Sequence, residues 1–353
     1  MVNLFNTPLA KAAETLKGKR IPHKKYEESV EKIASGIFVS SPGEVVCIVG
    51  PSRVGKTTAA YEACRQLIPE NELIHDSDMP IVRVRLRNSL NGGRFDSVLF
   101  IRSALVAIKH PIFGVVESVD PFGIEFDKQT SRISESRLFE FFARAVIARN
   151  TKYLIIDEVQ HLKYAIKGEE GAAAILDSWK AFAEETGVIL ILIGTYPILD
   201  ILTLSAHMLG RTDNVEFERY KRNKVDIEQF QLILNTLDSI VPFSEGKLSE
   251  QNQFLYEGAY GCLGLLLRWL RGAIGHALAL GKSEISMSDL RAHLKRQDDL
   301  ASIRLEIDRG EDAIARGPTQ VEKQSANLKE KSQKKRKPPP FQSKPRNYKQ
   351  NIR

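Results

Sequence analysis

A lysine and a hydroxyl close the stretch 50-GPSRVGKT-57, which follows the apolar run 45-VVCIVG-50 and precedes a helical pattern. Strand, glycine-rich turn and helix in that order make a phosphate cradle, the P-loop. Gly50 and Gly55 let the backbone fold close around β- and γ-phosphates, and the N–H groups of the new helix point at them. Lys56 adds positive charge, and Thr57 offers a hydroxyl to Mg2+. Pro51, Ser52, Arg53, Val54 and Thr58 complete the segment expected to touch nucleotide. A second group is 153-YLIIDE-158, four apolar residues that deliver two carboxylates at the C-terminal end of a buried strand. Asp157 is expected to hold Mg2+ through water, and Glu158 to orient and polarise a water for attack on the γ-phosphate. A glutamate next to the metal aspartate favours hydrolysis over transfer to an acceptor hydroxyl. The third group ends 188-VILILIGTYP-197, where Thr195 either bonds the γ-phosphate or attacking water, or satisfies the turn before Pro197.

These groups need a scaffold that brings strand ends together. Short β-rich runs at 45–50, 81–86, 153–158, 188–194 and, more weakly, 215–218 alternate with helical patterns at 57–67, 94–109, 135–149 and 172–185. Such alternation predicts an α/β fold with a parallel sheet covered by helices on both faces. The runs at 45–49, 154–156 and 188–193 are apolar throughout, as central strands buried on both sides are. After Glu218 only helical patterns follow, at 226–240, 249–259, 262–280 and 286–297, several opening at a Ser or Asp cap. The expected organisation is an N-terminal arm over 1–24, an α/β nucleotide-binding domain over 25–222, a helical lid over 223–310 and a tail over 311–353.

The charge is uneven. The tail carries 12 Lys/Arg against 4 Asp/Glu, and the first 310 residues carry 39 against 40. The basic character therefore belongs to the tail, centred on 334-KKRKPPP-340, whose composition predicts disorder in isolation. Lys334, Lys335, Arg336 and Lys337 would bind DNA or dock an acidic partner. Cys47, Cys64 and Cys262 lie far apart and suit a reducing cytoplasm. The longest apolar run is too short to cross a bilayer, and no signal peptide is read. His161 has no Cys or His at metal-ligand spacing, and Phe139, Phe141 and Phe142 are expected in the core.

Taken together, 50-GPSRVGKT-57, 153-YLIIDEVQHL-162, the polar end of ILIGTYP and the helical C-terminal region resemble the AAA+ ATPases. Within them they are similar to the transposon regulators of the TnsC/TniB type, and to the related origin-recognition ATPases. The resemblance covers about residues 25–297. It implies a five-stranded parallel sheet with a small α-helical lid, ATP and Mg2+ as ligands, and a homo-oligomeric ring or filament on duplex DNA. It also implies a transposase and a TniQ-type target selector as partners, and a bacterial, nucleoid-associated cytoplasmic setting. Hydrolysis would then control disassembly. An arginine reaching a neighbour's γ-phosphate is placed by the resemblance at Arg211, with Arg219 and Arg222 as competitors. Arg268 in 261-GCLGLLLRWLRGA-273 stands at the sensor-2 position, or is an ordinary surface arginine. Two features depart from the family. Lys56 and Asp157 lie 101 residues apart, which implies insertions around 87–133, and no winged-helix pattern follows residue 300.

Arg83, Arg85 and Arg87 alternate along 81-IVRVRLR-87, so they share one face of a strand. Three arginines on one face are either exposed or meet an anion. The resemblance turns nearby loops toward DNA, making Arg87, Arg94 and Arg102 candidate phosphate contacts of a sequence-independent, salt-sensitive kind. The alternatives are a solvated sheet edge, and a P-loop switch that binds protein and not DNA.

Overall fold

The computed structural model describes residues 7–18, 21, 23–69, 75–88, 93–113, 133–165, 168–203 and 212–316. Arg211, the residues from 114 to 132 and the tail from 317 onward lie outside them.

Five parallel strands form the sheet: β1 (Val45–Val49), β2 (Ile81–Arg85), β3 (Tyr153–Asp157), β4 (Ile189–Gly194) and β5 (Thr212–Glu216), in the order β2-β3-β4-β1-β5. The fifth strand, expected at 215–218, starts three residues earlier, because its polar residues Thr212, Asp213 and Asn214 pair with Val45, Val46 and Cys47. Backbone pairing at an edge needs no apolar side chains, which is why the composition hid the strand's start.

Along the strands successive side chains serve opposite faces. Val46, Ile48, Ile155, Ile191 and Ile193 pack with α1 (Pro8–Gly18), α2 (Lys24–Val39), α3 (Lys56–Gln66) and the lid. Val45, Cys47, Val49, Leu154, Ile156 and Leu192 pack with α4 (Ser97–Ala107), α5 (Glu135–Ala148) and α6 (Gly168–Thr186). Phe142 is buried there, and Phe139 and Phe141 pack partly buried beside it. All three cysteines are buried and free.

After a short α7 (Ile198–Leu202) and β5 come α8 (Lys224–Asp238), α9 (Asn252–Ala259), α10 (Leu263–Ala279), α11 (Met287–Ala292) and α12 (Gln297–Arg316). Local chemistry sets several starts. Asn223 accepts the Asp226 N–H at 2.8 Å to cap α8, and Ser286 with Asp289 forms a capping box before α11.

Two segments differ from expectation. In the N-terminal arm, α1 buries Leu9, Ala12 and Leu16 and packs against α10, so apolar spacing of i, i+3, i+7 binds it to the lid. At the other end, α12 continues to Arg316, so residues 311–316, assigned to the tail, are helical. Its buried Leu300, Ile307 and Gly310 are the reason: a helical face meets the core there. Among the described residues no helix is long and apolar enough to cross a membrane.

Candidate nucleotide site

β1 is buried along its whole length and delivers the chain into the turn before α3. Arg53 and Gly55 both take positive φ, 64° and 109°, which curls the backbone so that α3 opens with its first N–H groups facing the loop. Lys56 is buried, and its Nζ donates to the Gly50 and Pro51 carbonyls at 2.9 and 2.6 Å. Burial pulls its ammonium down from the ordinary lysine value to about 8, against the opposing pull of Glu158 and Asp157.

Asp157 ends β3 almost fully buried, and its Oδ2 accepts the Thr57 hydroxyl at 3.0 Å. Its Oδ1 accepts the Glu158 N–H at 2.9 Å. Glu158 itself is left-handed, φ 63° and ψ 38°, a conformation that a non-glycine residue adopts at some cost. That turn sends the chain into a 3₁₀ helix (Val159–Tyr164) and folds Gln160 back over the strand ends. Thr195 follows β4. A cavity of about 250 Å³ is lined by Ser52, Arg53, Gly55, Lys56, Thr57, Thr58, Arg85, Asp157, Glu158, Gly194 and Thr195. The three groups singled out by sequence thus converge on one cavity.

Two further sets of residues enter the site without having been assigned to it. Arg83 Nη2 lies 2.7 Å from Asp157 Oδ2, and Arg85 Nη2 lies 3.3 Å from Glu158 Oε1. The anion met by the arginine face of β2 is therefore the pair of site carboxylates, at least for its first two members. Parallel register explains it, since Arg85 stands opposite Asp157 on β3. Alternating arginines beside a strand that ends in Asp-Glu was the available signal. The second addition is Gln160, whose Nε2 donates to Glu158 Oε2 and whose Oε1 accepts the Thr195 N–H at 3.2 Å. A lone glutamine in VQHL carries no such signal.

The other candidates are distributed as follows. Arg87 and Arg94 are exposed on either side of an antiparallel bridge between Asn88 and Phe95, whereas Arg102 is half-buried within α4. Arg268 is exposed on α10, in a cleft with Trp269, His293 and Lys295. It also acts on the P-loop: Arg53 is held below the usual arginine range by burial first, and then by repulsion from Arg268 and Arg271. The lid comes this close because the first turn of α10 carries Gly264, where a Cβ would sit 1.9 Å from the Arg53 carbonyl oxygen. Arg211 lies outside the described residues. Of its competitors, Arg219 is buried and engaged within the chain, donating from Nε and Nη2 to the two Glu311 carboxylate oxygens at 2.9 and 3.0 Å. Its guanidinium also lies over the Tyr260 ring, 4.1 Å from the centroid. Such a residue is not free to reach a neighbour. Arg222 is exposed, 3.6 Å from Glu257.

A divalent ion fits the donor set. Thr57 Oγ1 and Asp157 Oδ2 are hard oxygen ligands placed side by side at the mouth of the phosphate cradle, the combination suited to Mg2+ that keeps most of its waters. Among the described residues no group of three or more His, Cys, Asp or Glu is placed to hold a metal on its own.

Comparison with known proteins agrees with the fold. Residues 40–202 match the family model described as AAA domain. No curated protein matches the chain. Among solved structures, the chain is similar to the Walker-type ATPase of Pyrococcus abyssi, with 16% identity, a TM-score of 0.50, and coverage of 86% of this chain and 81% of that one. It is similar to the ORC2 protein of Aeropyrum pernix, solved as ADPNP–ADP complexes, at 14% identity, TM-score 0.52, and 79% and 70% coverage. It is also similar to the ORC1 protein of Aeropyrum pernix, solved in complex with DNA, at 16% identity, TM-score 0.50, and 84% and 69% coverage. The chain has the AAA+ P-loop fold, with a five-stranded parallel sheet and a helical C-terminal region.

Proposed function

We propose that this protein is an Mg2+-dependent ATPase whose nucleotide state controls its assembly with copies of itself on duplex DNA. The observation that carries the proposal is the convergence of Lys56, Thr57, Asp157, Glu158 and Thr195 on one cavity at the C-terminal ends of β1, β3 and β4.

The P-loop backbone and Lys56 bind the β- and γ-phosphates. Lys56 exchanges its bonds to Gly50 and Pro51 for phosphate oxygens, an exchange of carbonyl for charged acceptors that strengthens both partners. Thr57 and Asp157 would hold Mg2+, which would supply positive charge to the phosphate oxygens. Glu158 aligns a water with the γ-phosphorus. As the new O–P bond forms, the bond to the bridging oxygen breaks, the water's proton passes by way of Glu158 to the released phosphate, and ADP and phosphate leave. Thr195 stands at the end of β4, where it hydrogen-bonds the γ-phosphate or the water. Arg211 of a neighbouring copy completes the charge balance, and Arg268 and Arg271 approach from the lid.

The DNA side of the proposal rests on the exposed Arg87 and Arg94, the basic tail, and the resemblance to transposition regulators. In that reading the protein connects a TniQ-type target selector to a transposase, and hydrolysis ends the encounter. The similar ORC1 protein was solved in complex with DNA, which supports DNA as a ligand and is compatible with transposition and origin-type roles alike.

The test is electron microscopy of the protein with duplex DNA under ATP, ADP and a non-hydrolysable analogue. Rings or filaments on DNA with the triphosphate form alone are the expected result. Monomers in all three states would overturn the assembly proposal. Nucleotide-dependent assembly without DNA would replace it with a protein-binding switch. Pull-down with transposase against replicative helicase separates the two DNA roles.

A further inference from the structure

We propose that Gln160 is a positioning residue that locks Glu158 and Thr195 into one unit for hydrolysis, an inference that rests on the ATPase reading above. Its amide spans the ends of two neighbouring strands. Nε2 donates to Glu158 Oε2, the oxygen that Arg85 does not engage, and Oε1 accepts from the Thr195 backbone N–H at 3.2 Å. The amide has one orientation available, because a carboxylate can only accept and an N–H can only donate. Exchanging oxygen for nitrogen would place two donors, and two acceptors, against each other.

Three features fix Gln160 in this place. The left-handed turn at Glu158 brings residue 160 back to the sheet within two residues. Val159 and Leu162 are buried on either side of it and anchor the 3₁₀ helix in the core. Gly194 supplies the room, since a Cβ there would stand 3.1 Å from Gln160 Oε1. The consequence is mechanical. A shift of the Thr195 backbone on contact with the γ-phosphate is passed through one rigid amide to the carboxylate that aims the water. Holding such a group to within a fraction of an ångström is where positioning gains its rate.

The experiment compares Gln160→Met, which removes donor and acceptor at similar size, with Gln160→Glu, which keeps the acceptor toward Thr195 and loses the donor toward Glu158. Both are assayed by steady-state ATP hydrolysis and by binding of a fluorescent ATP analogue. Both are expected to bind the analogue within about twofold of the wild-type protein and to lose kcat by about tenfold or more, with KM little changed. Wild-type kcat in Gln160→Glu, or a loss confined to KM, would overturn the inference. If the wild-type protein and Glu158→Gln are equally without hydrolysis, the ATPase reading falls, and Gln160 is judged by hydrogen exchange instead. Glu158→Ala is then expected to speed exchange in the peptide holding Thr195 in the wild-type background and to add nothing in Gln160→Met. Additive effects would overturn the coupling.

Discussion

Arg85 Nη2 and Glu158 Oε1 are 3.3 Å apart, an ion pair between an edge strand and the carboxylate proposed to align water. The Arg85 side chain is 59% exposed, so the pair is of the weak, solvent-screened kind worth at most about 1 kcal/mol. It nevertheless occupies one of the two oxygens with which Glu158 would meet a water. Arg85→Ala is expected to raise basal ATP turnover, by no more than about fivefold because that is what such a pair is worth. Turnover at saturating Mg-ATP checks it, and an unchanged or lower kcat counts against a restraining role.

Arg219 makes a different kind of pair. It is 7% exposed, bidentate to Glu311, and stacked on Tyr260. Removing one partner of a buried pair leaves the other charge without compensation. Arg219→Ala is expected to cost about 3 kcal/mol and to loosen α12 from the body. Thermal unfolding reads the cost. If the melting temperature is unchanged while ATP turnover alone collapses, Arg219 acts on nucleotide and not on the fold.

These two arginines show what was legible in the sequence and what was not. The P-loop, Asp157-Glu158 and Thr195 were readable because each is tied to its own strand end, and the sheet brings strand ends together. The need for glycine at 264, where α10 approaches the Arg53 carbonyl, took the structure to see. Partners from distant elements were not readable. Whether Arg85 meets solvent, DNA or Glu158 depends on β2 lying next to β3, an order that strand sequence does not state. Arg219 with Glu311, and Gln160 with Thr195, are contacts between elements whose own patterns carry no mark of each other. Similarly, the helix over 297–316 was missed because its mean composition is polar and only one face, Leu300, Ile307 and Gly310, is buried.

His23 gives the molecule a specific acid sensitivity. Its ring caps α2 by accepting the Tyr26 N–H at 3.2 Å, and it lies 2.8 Å from the Tyr220 hydroxyl. Burial lowers its pKa from 6.5 to about 4. The unfolded chain therefore binds the proton first, and stability is fully present above pH 6.5 and is lost as pH falls from 6.5 through about 4. Between pH 6.5 and about 5, before carboxylates protonate, the loss should be about 1.5 kcal/mol. His23→Asn keeps a capping acceptor without the titration. Urea midpoints across that window should fall less steeply in the variant, and parallel slopes would remove His23 as the cause.

Gly310 and Gly275 form a matched pair on two helices. Intrinsic propensity favours alanine over glycine in a helix interior by up to about 1 kcal/mol, so alanine should stabilise at either position. Space decides otherwise at one of them. A Cβ on Gly275 would meet nothing within 4 Å, whereas one on Gly310 would stand 1.9 Å from Tyr196 Cγ. The Tyr196 ring cannot turn away cheaply, since its hydroxyl donates to Glu216 at 2.8 Å and the residue is buried next to Thr195. The helix must therefore lift. Gly275→Ala is expected to raise stability slightly, and Gly310→Ala to lower it by about 1–3 kcal/mol, the range for overpacking a filled core. Thermal unfolding gives the sign of each, and limited proteolysis should cut first near α12 in Gly310→Ala. Equal melting temperatures for the two variants would mean that α12 does not rest on Tyr196 in solution.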